Sequence, residues 1–271
     1  MIRRNYLQGE SGQIHYRELI PELESAAPLV CLHPAPFSGL FFTNAMPLLG
    51  DKRRVIAPDY PGYGGSDIAE SEPTIADYAR HMRQLLQQIC PDQPVYLLGF
   101  HTGCLVAAEM ALQNLEAVAG LVLIDVPFFV GDAQTAMLQR AAAPMTLSAD
   151  EDSIAQHWKS GVVAKIDAMG LQRAVPLFAE QLRAYPYTHY AFRAAFTYSC
   201  EERFSHLDLP TKVIASKSGL RDATLACAAC VPNAELEEAN DITRAVFEEG
   251  AAKIAVRINR TLTGFQEHNR E

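Results

Sequence analysis

The chain has no apolar run approaching the roughly twenty residues of a membrane-spanning helix, which excludes a helical span by pattern. Basic residues are the minority: 23 Lys and Arg stand against 32 Asp and Glu, a formal charge of -9, and they form no run longer than Lys52-Arg53-Arg54. That balance argues against nucleic acid or an anionic membrane surface as a partner. Cysteine is scarce and unpatterned. Six residues (Cys31, Cys90, Cys104, Cys200, Cys227, Cys230) sit in apolar surroundings rather than in a disulfide framework, which predicts reduced thiols. The pair in Cys227-Ala228-Ala229-Cys230 has redox-like or zinc-like spacing, but no second pair or Cys/His cluster completes a ligand set, and its alanine-rich setting predicts a helix. No metal or organic cofactor is implied. A signal-peptide pattern is also missing, since Met1 to Tyr6 leads directly into a strand pattern, and a cytoplasmic protein is expected. Histidine is unevenly spread: none of the 8 falls between His206 and His268.

What is present is an alternation of strands and helices. Short apolar runs at 29–33, 54–58, 95–99, 121–125 and 211–215, rich in Val, Ile and Leu, read as strands buried on both faces. Helix-length segments lie between them at 39–49, at 74–89 with Thr74 as N-cap and Pro91 just beyond, and at 102–114. This order predicts an α/β protein with a mostly parallel sheet flanked by helices. Asn5 to Gln8 and Gln13 to Leu19, around a turn with Gly9 and Gly12, predict an antiparallel hairpin at the sheet edge. With 271 residues and 49% hydrophobic content, one core domain plus an insertion is expected.

The most informative string is Val95-Tyr96-Leu97-Leu98-Gly99-Phe100-His101-Thr102-Gly103. A strand runs into Gly-x-x-x-Gly and then into a helical stretch, the pattern of a nucleophile elbow, with histidine at its tip where a hydrolase carries serine. Four further strings agree in order: Pro28 to Pro36 with its His33-Pro34 pair, Arg54 to Asp67 with D-x-P-G-x-G-x-S, Gly120 to Asp125, and Leu209 to Ala215. From about residue 1 to residue 262 the chain resembles an α/β-hydrolase. The resemblance implies an eight-stranded, mostly parallel sheet with an inserted helical cap. The core domain would span 1–127 and 205–271, and the cap 128–204. It also implies an oxyanion hole from the backbone N–H groups of Ala35 and Thr102, with Pro34 in place of a family glycine.

The rest of the family's triad is altered. After the seventh strand, Ser216-Lys217-Ser218-Gly219-Leu220 lacks the usual aspartate, and Asp222 lies too far along. Asn240 or Asp241 stands where the family places its histidine. His101 therefore remains as the candidate catalytic group, with Asp125 and Asp241 as carboxylates to orient its ring. Phe128 and Phe129, following strand six, are expected to wall the pocket with Phe100 and His33, the latter also read as hydrogen-bonded to nearby backbone. Inside the insertion, segments 153–168, 171–185 and 187–202 have helical spacing. Their aromatics (Tyr187, Tyr190, Phe192, Phe196, Tyr198) either roof the pocket or pack the insertion onto the core. Tyr63, His157, His189, Arg193, Lys217 and Asp222 read mainly as solvated surface or caps.

Two chemistries are open to His101 with a small carbonyl or ester substrate. As a general base it would deprotonate carbon or oxygen beside an oxyanion hole, the preferred reading. As a nucleophile it would form an acyl-imidazole that water hydrolyses. The alternative is a catalytically inactive pseudo-hydrolase that binds a small molecule or a protein partner. A homodimer is left open.

Overall fold

The computed structural model describes residues 1–69, 71–91, 93–243 and 245–268. Its strands are β1 (Arg3–Gly9), β2 (Gly12–Leu19), β3 (Leu29–Leu32), β4 (Val55–Pro58), β5 (Val95–Phe100), β6 (Val118–Ile124), β7 (Thr211–Ser216) and β8 (Ala234–Ala239). They form one eight-stranded sheet in the order β1-β2-β4-β3-β5-β6-β7-β8. The hairpin β1–β2 and the β2–β4 pair are antiparallel, and every other pair is parallel. Central strands β3, β4 and β5 are buried at every position, as strands covered on both faces must be. The eight-stranded, mostly parallel sheet expected from the sequence is the sheet observed.

The helices of the sheet layers are α1 (Met46–Leu49), α2 (Ile75–Ile89), α3 (Thr102–Gln113), α10 (Arg221–Cys230) and α11 (Ala251–His268). Thr74 caps α2 in a reciprocal box, accepting from Asp77 N–H while the Asp77 carboxylate accepts from Thr74 N–H. The single helix expected over 39–49 is instead a 3-10 turn (Gly39–Phe42) followed by α1. Ser38 caps the turn through Leu40 N–H, and Pro47 lacks the N–H a continuous helix would need there. Cys227 is buried in α10, and all six cysteines are free thiols.

Between β6 and β7 the chain runs through α4 (Gly131–Ala141), α5 (Glu151–Gly161), α6 (Ile166–Met169), α7 (Leu171–Arg183), α8 (Tyr190–Thr197) and α9 (Cys200–Phe204). The expected helix over 153–168 breaks at Gly161, where a Cβ would run into the Phe178 ring, and continues as a 3-10 turn (Val163–Lys165) and α6. Helix α4 went unread because none of its residues is buried, so it carries no apolar stripe to recognise. Phe192 and Tyr198 pack against the sheet's main core, and Tyr198 Oη donates to Glu109 at 2.8 Å. Those two aromatics join the insertion to the core rather than roofing a pocket. Among the described residues no helix is long and apolar enough to cross a membrane.

Candidate functional site

Strand β5 delivers His101 to a sharp turn and α3 starts at the next residue. Two glycines make that turn feasible. A Cβ on Gly99 would meet the Cys104 backbone, and one on Gly103 would run into the Leu32 carbonyl. His101 itself has φ 50 and ψ -121, a conformation sparsely populated by non-glycine residues and associated with working sites. Its N–H donates to Ile124 O at 3.2 Å and its carbonyl accepts from Cys104 N–H at 2.9 Å, so the strained turn is anchored on both sides. The half-buried imidazole lies against the Phe100 ring at 4.0 Å. Burial pushes its pKa down to about 4, while the nearby Asp125 carboxylate pulls the other way. The ring is therefore neutral at pH 7.

His101 lines a cavity of about 370 Å³, walled largely by Phe37, Phe41, Phe100, Phe247, Met169 and Leu177, with Ala35 beside the histidine. Two backbone donors are candidates beside the ring: Thr102, the next residue in sequence, and Ala35, which lines the same cavity. Thr102 begins α3, whose first N–H groups have no intrahelical acceptor, and among the described residues neither Thr102 N–H nor Ala35 N–H has a backbone acceptor in the turns and loops.

The two candidate carboxylates go to different places. Asp125 follows β6 at φ 52 and is fully buried. Its oxygens accept from Ser216 N–H at 2.8 Å and Ser216 Oγ at 2.6 Å. The Asp125 charge thus raises the His101 pKa against burial, but its described hydrogen bonds go to Ser216, a residue the sequence did not single out. Asp241 does not join the cavity: it is exposed, accepting from Arg257 Nη2 at 2.7 Å with Lys253 Nζ at 3.7 Å, both from α11. The expected pocket walls also need correction. Phe128 packs edge-on against Phe204 at 5.8 Å and Phe129 against Phe196 at 5.9 Å, so both belong to the insertion's packing and leave the cavity to Phe37, Phe41 and Phe247.

His33 is fully buried and does not line the cavity. Its Nε2 accepts from Tyr60 N–H at 3.1 Å, which fixes the proton on Nδ1, from where it donates to Pro34 O at 3.0 Å. The ring stacks on Tyr60 at 3.9 Å. Burial pushes its pKa down from 6.5 to about 4. A histidine held neutral in the fold stabilises it above its unfolded pKa and loses that contribution as pH falls toward the folded value, here between 6.5 and about 4. The loss amounts to roughly 3 kcal/mol. Denaturant midpoints measured across that window are expected to fall with pH, and less steeply in His33→Gln, which has no proton to gain. An equal slope in both proteins would contradict the assignment.

One more charged group faces the cavity from the segment after β8. Glu248 is held by Arg173 Nε at 2.9 Å and by Asn44, and burial raises its pKa. Arg173, on α7, also donates to Leu40 O and Phe41 O at 3.1 and 2.9 Å, tying the insertion to the turn that carries Phe41. Among the described residues no cluster of three or more His, Cys, Asp or Glu side chains suited to a metal occurs.

The family model for the alpha/beta hydrolase fold matches residues 27–148, which include the elbow. The chain is 29% identical over 150 residues to the pimeloyl-[acyl-carrier protein] methyl ester esterase of Aeromonas hydrophila, covering 54% of this chain and 56% of that protein. It is 33% identical over 101 residues to the soluble epoxide hydrolase of a Corynebacterium species, covering 37% of this chain and 35% of that protein. The chain thus matches little more than half, or less, of the length of these curated relatives. Among solved structures, a thermophilic esterase from Thermogutta terrifontis superposes with a TM-score of 0.75 at 18% identity, covering 97% of this chain and 99% of that one. A bromoperoxidase from Bacillus anthracis superposes at 0.78 and 15% identity, covering 96% and 100%. Sheet order, elbow and these likenesses agree: the chain has the α/β-hydrolase fold.

Proposed function

We propose that the protein hydrolyses small esters or thioesters, with His101 as nucleophile and the N–H groups of Ala35 and Thr102 as an oxyanion hole. The observation that carries this reading is a neutral imidazole at the tip of a strained elbow, facing an apolar cavity. A substrate carbonyl oxygen held by the two N–H groups would place its carbon, not an acidic proton, against the ring. Attack by the ring nitrogen gives a tetrahedral oxyanion, stabilised by both donors and by the positive end of α3. Collapse expels the alcohol or thiol, which takes the proton from the second ring nitrogen, and leaves an acyl-imidazole. Water then attacks the acyl carbon, releasing the acid and restoring the imidazole.

Burial of the ring moves the preference from base to nucleophile. A base whose conjugate acid has a pKa of about 4 is poorly matched to proton abstraction at neutral pH. Nucleophilic attack, by contrast, needs only the neutral form, which is the resting form. A second reading has one observation in its favour: among the described residues no carboxylate or second imidazole hydrogen-bonds to the His101 side chain, as it would not in a site that binds without turnover.

A panel of short acyl and aryl esters tests the proposal. Hydrolysis is expected, with kcat/KM half-maximal at pH about 4 and level to neutrality. A half-maximum near 6.5, the ordinary imidazole value, would contradict the lowered pKa of the half-buried ring. No turnover of any ester would favour the binding reading.

A further inference from the structure

We propose that Lys165 selects ligands with an anionic end, so that the preferred substrates are esters carrying a free carboxylate. The substrate statement rests on the ester-hydrolase reading above, and the binding preference does not.

Lys165 ends the 3-10 turn Val163–Lys165 of the insertion and lines the same cavity as His101. Its ammonium lies 5.2 Å from the centroid of the Phe37 ring, another wall of that cavity. The two charged side chains in the lining are in opposite situations. Glu248 is neutralised by Arg173 and hydrogen-bonded by Asn44. Lys165 has no hydrogen-bond acceptor and no ion-pair partner among the described residues, although it is half-buried in a chain of net charge -9.

Burial lowers the pKa of Lys165, the sign of an ammonium paying for lost water. The Phe37 face returns part of that cost by a cation–π contact, yet a ring satisfies none of the three N–H donors. With the Glu248 carboxylate already held by Arg173 and Asn44, a carboxylate on the ligand is the group that would satisfy both charge and donors of Lys165. With the imidazole and the ammonium both facing one cavity, the geometry fits a molecule whose ester meets His101 and whose carboxylate meets Lys165. The ordinary alternative is a lysine whose head simply turns to solvent, which would leave ligand affinity unaffected by its charge.

Calorimetric titration of the full chain with octanoate and with octanol tests this without requiring turnover. Wild type is expected to bind octanoate more tightly than octanol. Lys165→Met, which keeps the aliphatic stem, is expected to weaken octanoate by about tenfold to a hundredfold and leave octanol unchanged, while Lys165→Arg retains the preference. The proposal is overturned if wild type binds neither compound, binds both alike, or if Lys165→Met weakens both equally. Should octanoate bind as expected while no ester is hydrolysed, the carboxylate site stands and the nucleophile reading falls.

Discussion

His101→Ala is expected to abolish ester hydrolysis, lowering kcat by about a thousandfold or more, because in the proposed chemistry the imidazole forms the covalent bond. The fold should survive. Alanine carries the same Cβ into the φ 50 turn, and the hydrogen bonds that anchor it, from His101 N–H to Ile124 O and from Cys104 N–H to His101 O, are backbone bonds. His101→Ser is the sharper companion. It puts a hydroxyl at the tip of the turn, but a serine needs a base to deprotonate it. Asp125 is engaged by Ser216, and Asp241 is on the surface with Arg257. The serine variant should therefore be as inactive as the alanine variant. Initial rates on one short acyl ester, with circular dichroism to verify folding, check both. Activity in His101→Ser at or above the wild-type rate would show that a base is present and that the histidine is not the nucleophile.

The second large effect is on stability. Asp59→Ala is expected to cost about 3–5 kcal/mol, a substantial share of the roughly 5–15 kcal/mol that holds a domain together. Asp59 is fully buried at the end of β4. One oxygen accepts from Gly39 N–H at 2.7 Å and Arg17 Nη1 at 3.2 Å, the other from His15 Nδ1 at 2.7 Å and Gly65 N–H at 2.8 Å. Removing it strands a nearly buried guanidinium and two backbone donors. It also frees the Gly39 turn, whose neighbours Phe37 and Phe41 wall the cavity. Burial by itself would raise the Asp59 pKa, but the His15 hydrogen bond and the Arg17 charge outweigh it and hold the carboxyl below its usual value. A depressed carboxyl stabilises the fold above the unfolded pKa of about 3.9 and loses that contribution as pH falls below it. Equilibrium denaturation should show the loss at neutral pH and a shallower acid limb in Asp59→Ala. A change below about 1 kcal/mol would mean that the network closes without its centre.

The fold was legible because its signals are local. Apolar runs too short for helices, the D-x-P-G-x-G-x-S string and the glycines around His101 each encode geometry in neighbouring residues. That string serves the structure through Asp59 and Ser66, whose hydroxyl donates to Asp59 O at 2.8 Å. The site was less legible, because which loop faces the elbow depends on packing across the sheet. Phe128 and Phe129 follow β6 directly, yet turn toward α9 and α8, whereas Phe41 sits in a segment that read as an unbroken helix and Phe247 in a stretch between β8 and α11 that no motif marked. Ser216 meets Asp125 only because β7 lies beside β6. Asp241 stood at the right count after β8, but Lys253 and Arg257, four residues apart on one face of α11, draw it to the surface. The choice between base and nucleophile depended on the burial of one ring, which no string of residues displays.

Mass spectrometry of the wild-type protein, quenched in acid within the first turnover of a short acyl ester, tests the central assignment most directly. The expected result is a mass increment equal to the acyl group, mapped to the peptide and side chain of His101. Turnover with the acyl group on another residue, or with none on the protein at any quench time, would contradict it.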